Sequence, residues 1–94
     1  MQGNSAHVEI EVVISNQQGL HARPVMKFVD TAARFPCEIH VVKGPLSVDA
    51  KSPMEMMLLE AVRGTVLKLV AKGTEAQKAL DALADLVNSK FGED

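Results

Sequence analysis

Apolar and polar residues alternate in four stretches of the chain. A period of two is typical of strands that bury one face and expose the other to water. The four stretches are residues 8–15, 38–43, 46–49 and 65–72. Because each has a polar side, we expect a mostly antiparallel sheet that is covered on one face and bare on the other.

Three other stretches carry apolar residues at helical spacing: residues 22 to about 35, 53 to about 61, and 75 to about 90. The two long helices should bury Val25, Phe28, Val29 and Ala32, and Ala76, Ala79, Leu80, Leu83 and Val87. In the short helix we expect Met57, Leu58 and Ala61 to face the core, with Met54 and Met56 outside. The predicted order is βαββαβα, an α+β fold.

Two of these helices begin with the pattern of a capping box. In Ser52-Pro53-Met54-Glu55, the Ser52 side chain would accept from the Glu55 amide and Glu55 would reach back to Ser52. The run Thr74-Glu75-Ala76-Gln77 has the same form. We therefore expect Ser52 and Thr74 to be N-caps.

Composition narrows the class of protein. Ninety-four residues suit one domain, 1–94, and 47% apolar residues without Trp or Tyr predict an aliphatic core. A net charge of −2 argues against nucleic acid or an anionic membrane as partner. Residues 1–7 are polar, no stretch has the length of a membrane span, and Cys37 is the only cysteine. We therefore expect a cytoplasmic protein without an internal disulfide.

The run His21-Ala22-Arg23-Pro24 carries the candidate chemistry. A neutral imidazole can attack phosphorus and carry the group as a phosphoramidate. The first amides of a helix have no intrahelical partner, so those of Ala22 and Arg23 can stabilise an anion. The Arg23 guanidinium suits a phosphoryl group, and Pro24 should bias Arg23 towards an extended backbone. These residues together predict a phosphoryl acceptor.

A histidine before a helix is more often a modest cap or a surface residue, so His21 alone does not decide the function. His7 and His40 should be solvated, and neither shows ligand spacing to His21. No metal site is expected.

The run from Gly19 to Pro24 resembles the active-site signature of HPr, the histidine phosphocarrier family of the bacterial phosphotransferase system. The resemblance extends over residues 8–91, through Lys51-Ser52, the Met54-rich helix, Gly64 and Ala71-Lys72-Gly73. The segments 23–27 and 88–94 also resemble the nitrogen-related branch, NPr.

This resemblance implies an open-faced β-sandwich: a four-stranded antiparallel sheet with three helices on one face. It implies that Nδ1 of His21 accepts a phosphoryl group from a phosphorylated Enzyme I-like donor and that an EIIA-type acceptor receives it. The system would be phosphoenolpyruvate-dependent and would serve sugar uptake or nitrogen-type regulation. The amides of Ala22 and Arg23 would hold the group and the Arg23 side chain would screen its charge. The chain would be a monomeric carrier without a cofactor, not a free-standing enzyme.

The resemblance also indicates secondary sites. Ser52 matches a serine that a kinase modifies in some HPr proteins, although Pro53 and Glu55 depart from the usual pattern. Gln18 stands where the family commonly has Asn or Ser. The expected docking residues are Leu20, Met54, Met56, Lys51 and Lys27.

Two other classes have the same element order or fold. A regulatory docking module would keep the fold without the chemistry, but it would not need His21 and Arg23. An RNA-recognition domain also has the order βαββαβ, but it reads bases with aromatic residues on its central strands. Residues 8–15 and 46–49 contain none, so we discard the RNA-binding alternative.

Overall fold

The computed structural model describes residues 7–93. Predictions that concern residues 1–6 and Asp94 lie outside this range. The elements are β1 (His7–Val13), α1 (Ala22–Ala32), β2 (Glu38–Lys43), β3 (Leu46–Asp49), α2 (Pro53–Met57), β4 (Val66–Lys72) and α3 (Ala76–Asn88), followed by a 3₁₀ turn, Lys90–Gly92. This order confirms the predicted βαββαβα pattern and α+β class.

The four strands form one antiparallel sheet in the order β1-β4-β2-β3. Its register aligns the inward residues in rows, and one row joins Ile10, Leu69 and Val41. Leu69 and Val41 are completely buried, whereas Glu9 and Glu11 on the opposite face of β1 are exposed. The sheet is therefore covered by helices on one face and bare on the other, as the alternation predicted. No helix within residues 7–93 is long and apolar enough to cross a membrane.

The core lies between the sheet and the two long helices. Every inward residue predicted for these helices is buried, including Phe28 of α1 and Leu80 and Leu83 of α3. Phe91, just beyond α3, is also completely buried, so it packs the segment after α3 against the core. Of the other two histidines, His40 is exposed as predicted, and exposed His7 already belongs to β1.

The interior face of α2 differs from the prediction. Met56, Leu59 and Ala61 are buried, whereas Met57 and Leu58 are exposed. The helix ends at Met57, not near Ala61, so its five residues form little more than one turn. Because periodicity cannot define a face over so short a helix, the packing of neighbouring elements decides which methionine is inside.

The two predicted capping boxes have different outcomes. The Ser52 hydroxyl accepts from the Glu55 amide at 3.1 Å, but the Glu55 carboxylate accepts from the Asp49 amide at 2.9 Å instead of returning to Ser52. The box at Thr74 is wrong. Glu75 occupies the N-cap of α3 in a left-handed conformation (φ 66°) and makes no capping hydrogen bond with its side chain. The Ala76 amide bonds to the Gly73 carbonyl, so a tight turn replaces the cap.

Candidate phosphoryl-acceptor site

The loop before α1 is fixed by a close backbone contact. Gly19 has φ +70°, and a Cβ there would lie 2.6 Å from the Ala61 carbonyl oxygen and 2.9 Å from the Val62 Cα. The next amide, of Leu20, donates to the same Ala61 carbonyl at 2.8 Å. Only glycine fits this approach without strain. The contact therefore sets where the chain enters α1 and brings Val62 next to the loop.

His21 is the N-cap of α1 and has an extended backbone (φ −87°, ψ −170°). Its side chain makes no capping hydrogen bond, and its carbonyl accepts the first helical bond from the Val25 amide at 3.0 Å. The amides of Ala22 and Arg23 have no acceptor among residues 7–93, and Pro24 has no amide hydrogen. Two backbone donors therefore remain available at the positive end of the helix dipole.

Arg23 is already helical, because α1 begins at Ala22. The prediction that Pro24 would hold Arg23 in an extended conformation is therefore wrong. Proline is tolerated in a first helical turn, where its missing amide costs no hydrogen bond. The Arg23 side chain is exposed and lines the same surface cavity as His21.

 This cavity has a volume of about 530 Å³. A separate cleft beside β2 and β3 has a volume of about 330 Å³. The His21 side chain is 38% exposed in its cavity, so an incoming group can reach the ring. The lining residues of the His21 cavity are Gln17, Gln18, His21, Arg23, Lys27, Gly92 and Glu93.

Two of the expected residues lie at this cavity and one lies elsewhere. Gln18 and Lys27 line it, and the Lys27 ammonium donates to the Phe91 carbonyl at 2.6 Å. Lys51 lines the separate cleft and donates to the Phe35 carbonyl at 2.7 Å. The structure therefore places the positive charge of Lys27, but not that of Lys51, in the wall of the His21 cavity.

Two of the expected docking residues are buried. Leu20 is 6% exposed and Met56 is completely buried, so the prediction that they present a docking surface is wrong. Leu20 points into the core because Gly19 turns the chain immediately before it, and Met56 occupies the single inward position of α2. Met54 is exposed as predicted, together with Met57, Leu58 and Val62. We call these four residues the apolar patch.

Glu93 is a site residue that no pattern in the sequence indicates. Its carboxylate lies 3.2 Å from Nε2 of His21 and accepts at 3.2 Å from the side-chain amide of Asn16. Partial burial raises the pKa of the Glu93 carboxyl, but the hydrogen bonds with His21 and Asn16, together with the charges of His21 and Lys27, outweigh it and leave the pKa below its ordinary value. Seventy-two residues separate Glu93 from His21, so no spacing in the sequence could have indicated this contact.

The chain is similar to known phosphocarrier proteins over most of its length. Residues 8–89 match the family model described as "PTS HPr component phosphorylation site". The phosphocarrier protein HPr of Pseudomonas aeruginosa is 46% identical over 85 residues, which are 89% of this chain and 94% of that protein. The phosphocarrier protein NPr of Shewanella violacea is 40% identical over 86 residues, 92% of this chain and 94% of that protein.

The fold has equally similar solved relatives. The crystal structure of HPr-C-His from Thermoanaerobacter tengcongensis has a TM-score of 0.89 and 46% identity, and covers 93% of this chain and 98% of that one. The chain therefore belongs to the HPr family, the phosphocarrier proteins of the phosphotransferase system.

Proposed function

We propose that His21 accepts a phosphoryl group on Nδ1 from a phosphorylated Enzyme I-like protein and passes it to an EIIA-type protein. The observation that carries this proposal is the start of α1, where a partly exposed imidazole stands beside two amides without acceptors and the Arg23 side chain. Helix amides and a guanidinium suit the charge of a phosphoryl group.

Both the carrier and its partner contribute groups to the phosphoryl transfer. Nδ1 of His21 attacks phosphorus while the bond between phosphorus and the donor's histidine breaks, and the donor's nitrogen keeps the electron pair. The amides of Ala22 and Arg23 and the Arg23 side chain stabilise the charge on the transferred oxygens. Phosphoryl transfer depends mainly on positioning and electrostatic stabilisation, so two docked proteins suffice. The protein acts as a carrier, and we propose that it needs no cofactor of its own.

The apolar patch is the proposed docking surface for both partners. Its four residues are between 46% and 79% exposed, and flexible methionines adapt to surfaces of different shape. Val62 belongs to the turn that Gly19 contacts, so the patch continues up to the loop that carries His21. Lys27 adds positive charge in the His21 cavity, which favours acidic partner surfaces.

We propose an acceptor of the EIIA class. Relatives named HPr and NPr match the chain at 46% and 40% identity, so the proposal includes an EIIA-type acceptor of either the sugar or the nitrogen branch. We place the reaction in the cytoplasm, with the carrier as a monomer that exposes one face to successive partners.

Phosphorylation of Ser52 by a serine kinase stays a prediction from the resemblance. The Ser52 hydroxyl is engaged as the cap of α2, and the Glu55 carboxylate lies in the same helical turn. A phosphate on Ser52 would meet that like charge. Incubation with an HPr serine kinase and ATP, beside Ser52→Ala, tests it through an acid-stable mass increment.

The main test is incubation of the purified chain with phosphoenolpyruvate and Enzyme I, from the sugar and the nitrogen branch in turn. We expect an acid-labile increment of one phosphoryl group on the wild type and none on His21→Ala. His40→Ala is the matched control, since it removes an exposed histidine from the bare face of the sheet and should keep the increment. An unmodified wild type with both Enzyme I proteins would favour the docking module.

A further inference from the structure

We infer that Glu93 is a positioning residue that holds the proton of His21 on Nε2, so that Nδ1 is the nitrogen that attacks phosphorus, and that Asn16 fixes Glu93 in place. This inference rests on the proposed phosphoryl transfer and adds two residues to its site.

The contact between Glu93 and His21 determines where the ring proton lies. Both carboxylate oxygens of Glu93 are 3.2 Å from Nε2. An ionised carboxylate only accepts hydrogen bonds, so Nε2 must be the donor. In a neutral imidazole the other nitrogen then carries the free lone pair. That nitrogen, Nδ1, makes no capping hydrogen bond with the start of α1, so its lone pair is available.

Asn16 holds the Glu93 carboxylate from a buried position. It is completely buried, and its Nδ2 donates to the Gly19 carbonyl at 2.7 Å and to Glu93 at 3.2 Å. Since both partners are acceptors, they fix the orientation of the amide group. Its Oδ1 is buried without a partner among residues 7–93.

The backbone of the segment after α3 brings Glu93 to His21. Lys90, Phe91 and Gly92 all have left-handed backbones, with φ of 59°, 57° and 75°. Such a conformation is strained for Lys and Phe, and it persists only where surrounding contacts hold it. Burial of Phe91 and the bond from Lys27 to its carbonyl supply these contacts. The turn brings Glu93 back to the N-terminus of α1.

The arrangement also suits the charge that develops during transfer. As the bond between Nδ1 and phosphorus forms and the donor's bond to phosphorus breaks, the His21 ring gains positive charge while its proton stays on Nε2. A carboxylate that accepts from that proton stabilises the charged ring, as the aspartate does for the histidine of a serine-protease triad.

The test compares the full-length wild type with Glu93→Ala and Asn16→Ala. Glu11→Ala is the matched control, because Glu11 is an exposed glutamate on the bare face of the sheet. The ring nitrogen shifts of His21 are measured by ¹⁵N NMR at alkaline pH, where the tautomers of the neutral ring are compared. The rate of phosphoryl acceptance from phosphorylated Enzyme I is measured on the same four proteins.

We expect the population protonated on Nε2 to fall in Glu93→Ala and the rate to fall about two- to fivefold, the range for a partly exposed pair. Asn16→Ala should also lower the Nε2-protonated population and the rate, but by less. An unchanged tautomer in Glu93→Ala overturns the inference, and so does a changed tautomer with the rate of the control. If the wild type accepts no phosphoryl group, the proposed function fails, and the NMR comparison still decides the role of Glu93 in holding the proton.

Discussion

The helices α1 and α2 begin in similar ways, but the side chains of their N-cap residues act differently. Each has an extended N-cap residue, His21 or Ser52, and a proline in its first turn. The Ser52 hydroxyl bonds to an amide of α2, whereas the His21 ring turns away to Glu93 and leaves the amides of α1 open. A filled cap stabilises its own helix, and an open one keeps donors for a ligand at some cost in stability.

The charges around the two helix starts also differ. Arg23 and Lys27 line the cavity at α1, whereas α2 carries the acidic Glu55 in its first turn, directed at the Asp49 amide. The start of α2 thus already has its negative charge, and the start of α1 is suited to receive one.

The largest expected effect comes from breaking the contact that positions the open helix start. Gly19→Ala should lower the free energy of unfolding by about 3 kcal/mol or more, because a strained left-handed residue is combined with a clash against the backbone of Ala61 and Val62. Gly44→Ala is the matched control, with φ +56° and no atom within 4 Å of the added Cβ. It should cost only about 1 kcal/mol in denaturant unfolding. Equal losses would mean that the close approach at Gly19 is unimportant.

Opening the closed helix start should have a smaller effect. Ser52→Ala removes the cap of α2 and should lower the free energy of unfolding by about 1 kcal/mol. Phosphoryl acceptance on His21 should change little, because α2 and the apolar patch that it carries stay folded when one cap is lost. Chemical denaturation and the Enzyme I assay measure the two quantities on one sample, and a clear loss of phosphoryl acceptance would contradict the separation of the two helix starts.

A capping side chain at the open start of α1 should stabilise that helix. His21→Ser should be more stable than His21→Ala by about 0.5–1 kcal/mol, since a hydroxyl at an extended N-cap can accept from the free amides. Neither variant should carry a phosphoryl group. The pair His40→Ser and His40→Ala, on a strand, serves as control and should show no such gain. Equal stability of the two His21 variants would indicate that the amides of α1 are not available.

The smallest expected effect is the loss, at acid pH, of the stability that Glu93 contributes. Because the pKa of the Glu93 carboxyl is lowered in the folded protein, its contacts contribute stability that is present above its ordinary pKa and lost as pH falls through the folded pKa. The wild type should therefore have a higher Tm than Glu93→Ala at pH 7, and this difference should shrink as pH falls below about 4. The melting temperatures of both proteins across this range, with Glu11→Ala for comparison, measure it. A difference that grows in acid would contradict the assigned sign.

Much of the fold could be predicted because its information is local. The bounds of β2 and β3 and the inward faces of α1 and α3 follow from alternation and helical spacing sustained over several residues. The prediction failed where local signals were short or had competitors. Five residues of α2 give no periodicity, so the predicted exposure of Met56 is wrong. At Thr74 a turn through Gly73 replaced a side-chain cap.

The candidate site, like the fold, is only partly predictable from local sequence patterns. The residues at the start of α1 are consecutive, so local patterns alone indicate that His21, Ala22 and Arg23 stand together at a helix N-terminus. That Asn16 and Glu93 join them depends on the folded core, because the left-handed turn at Lys90 to Gly92 and the burial of Phe91 bring distant parts of the chain together. Contacts between distant residues depend on how the core packs, and no local pattern encodes them.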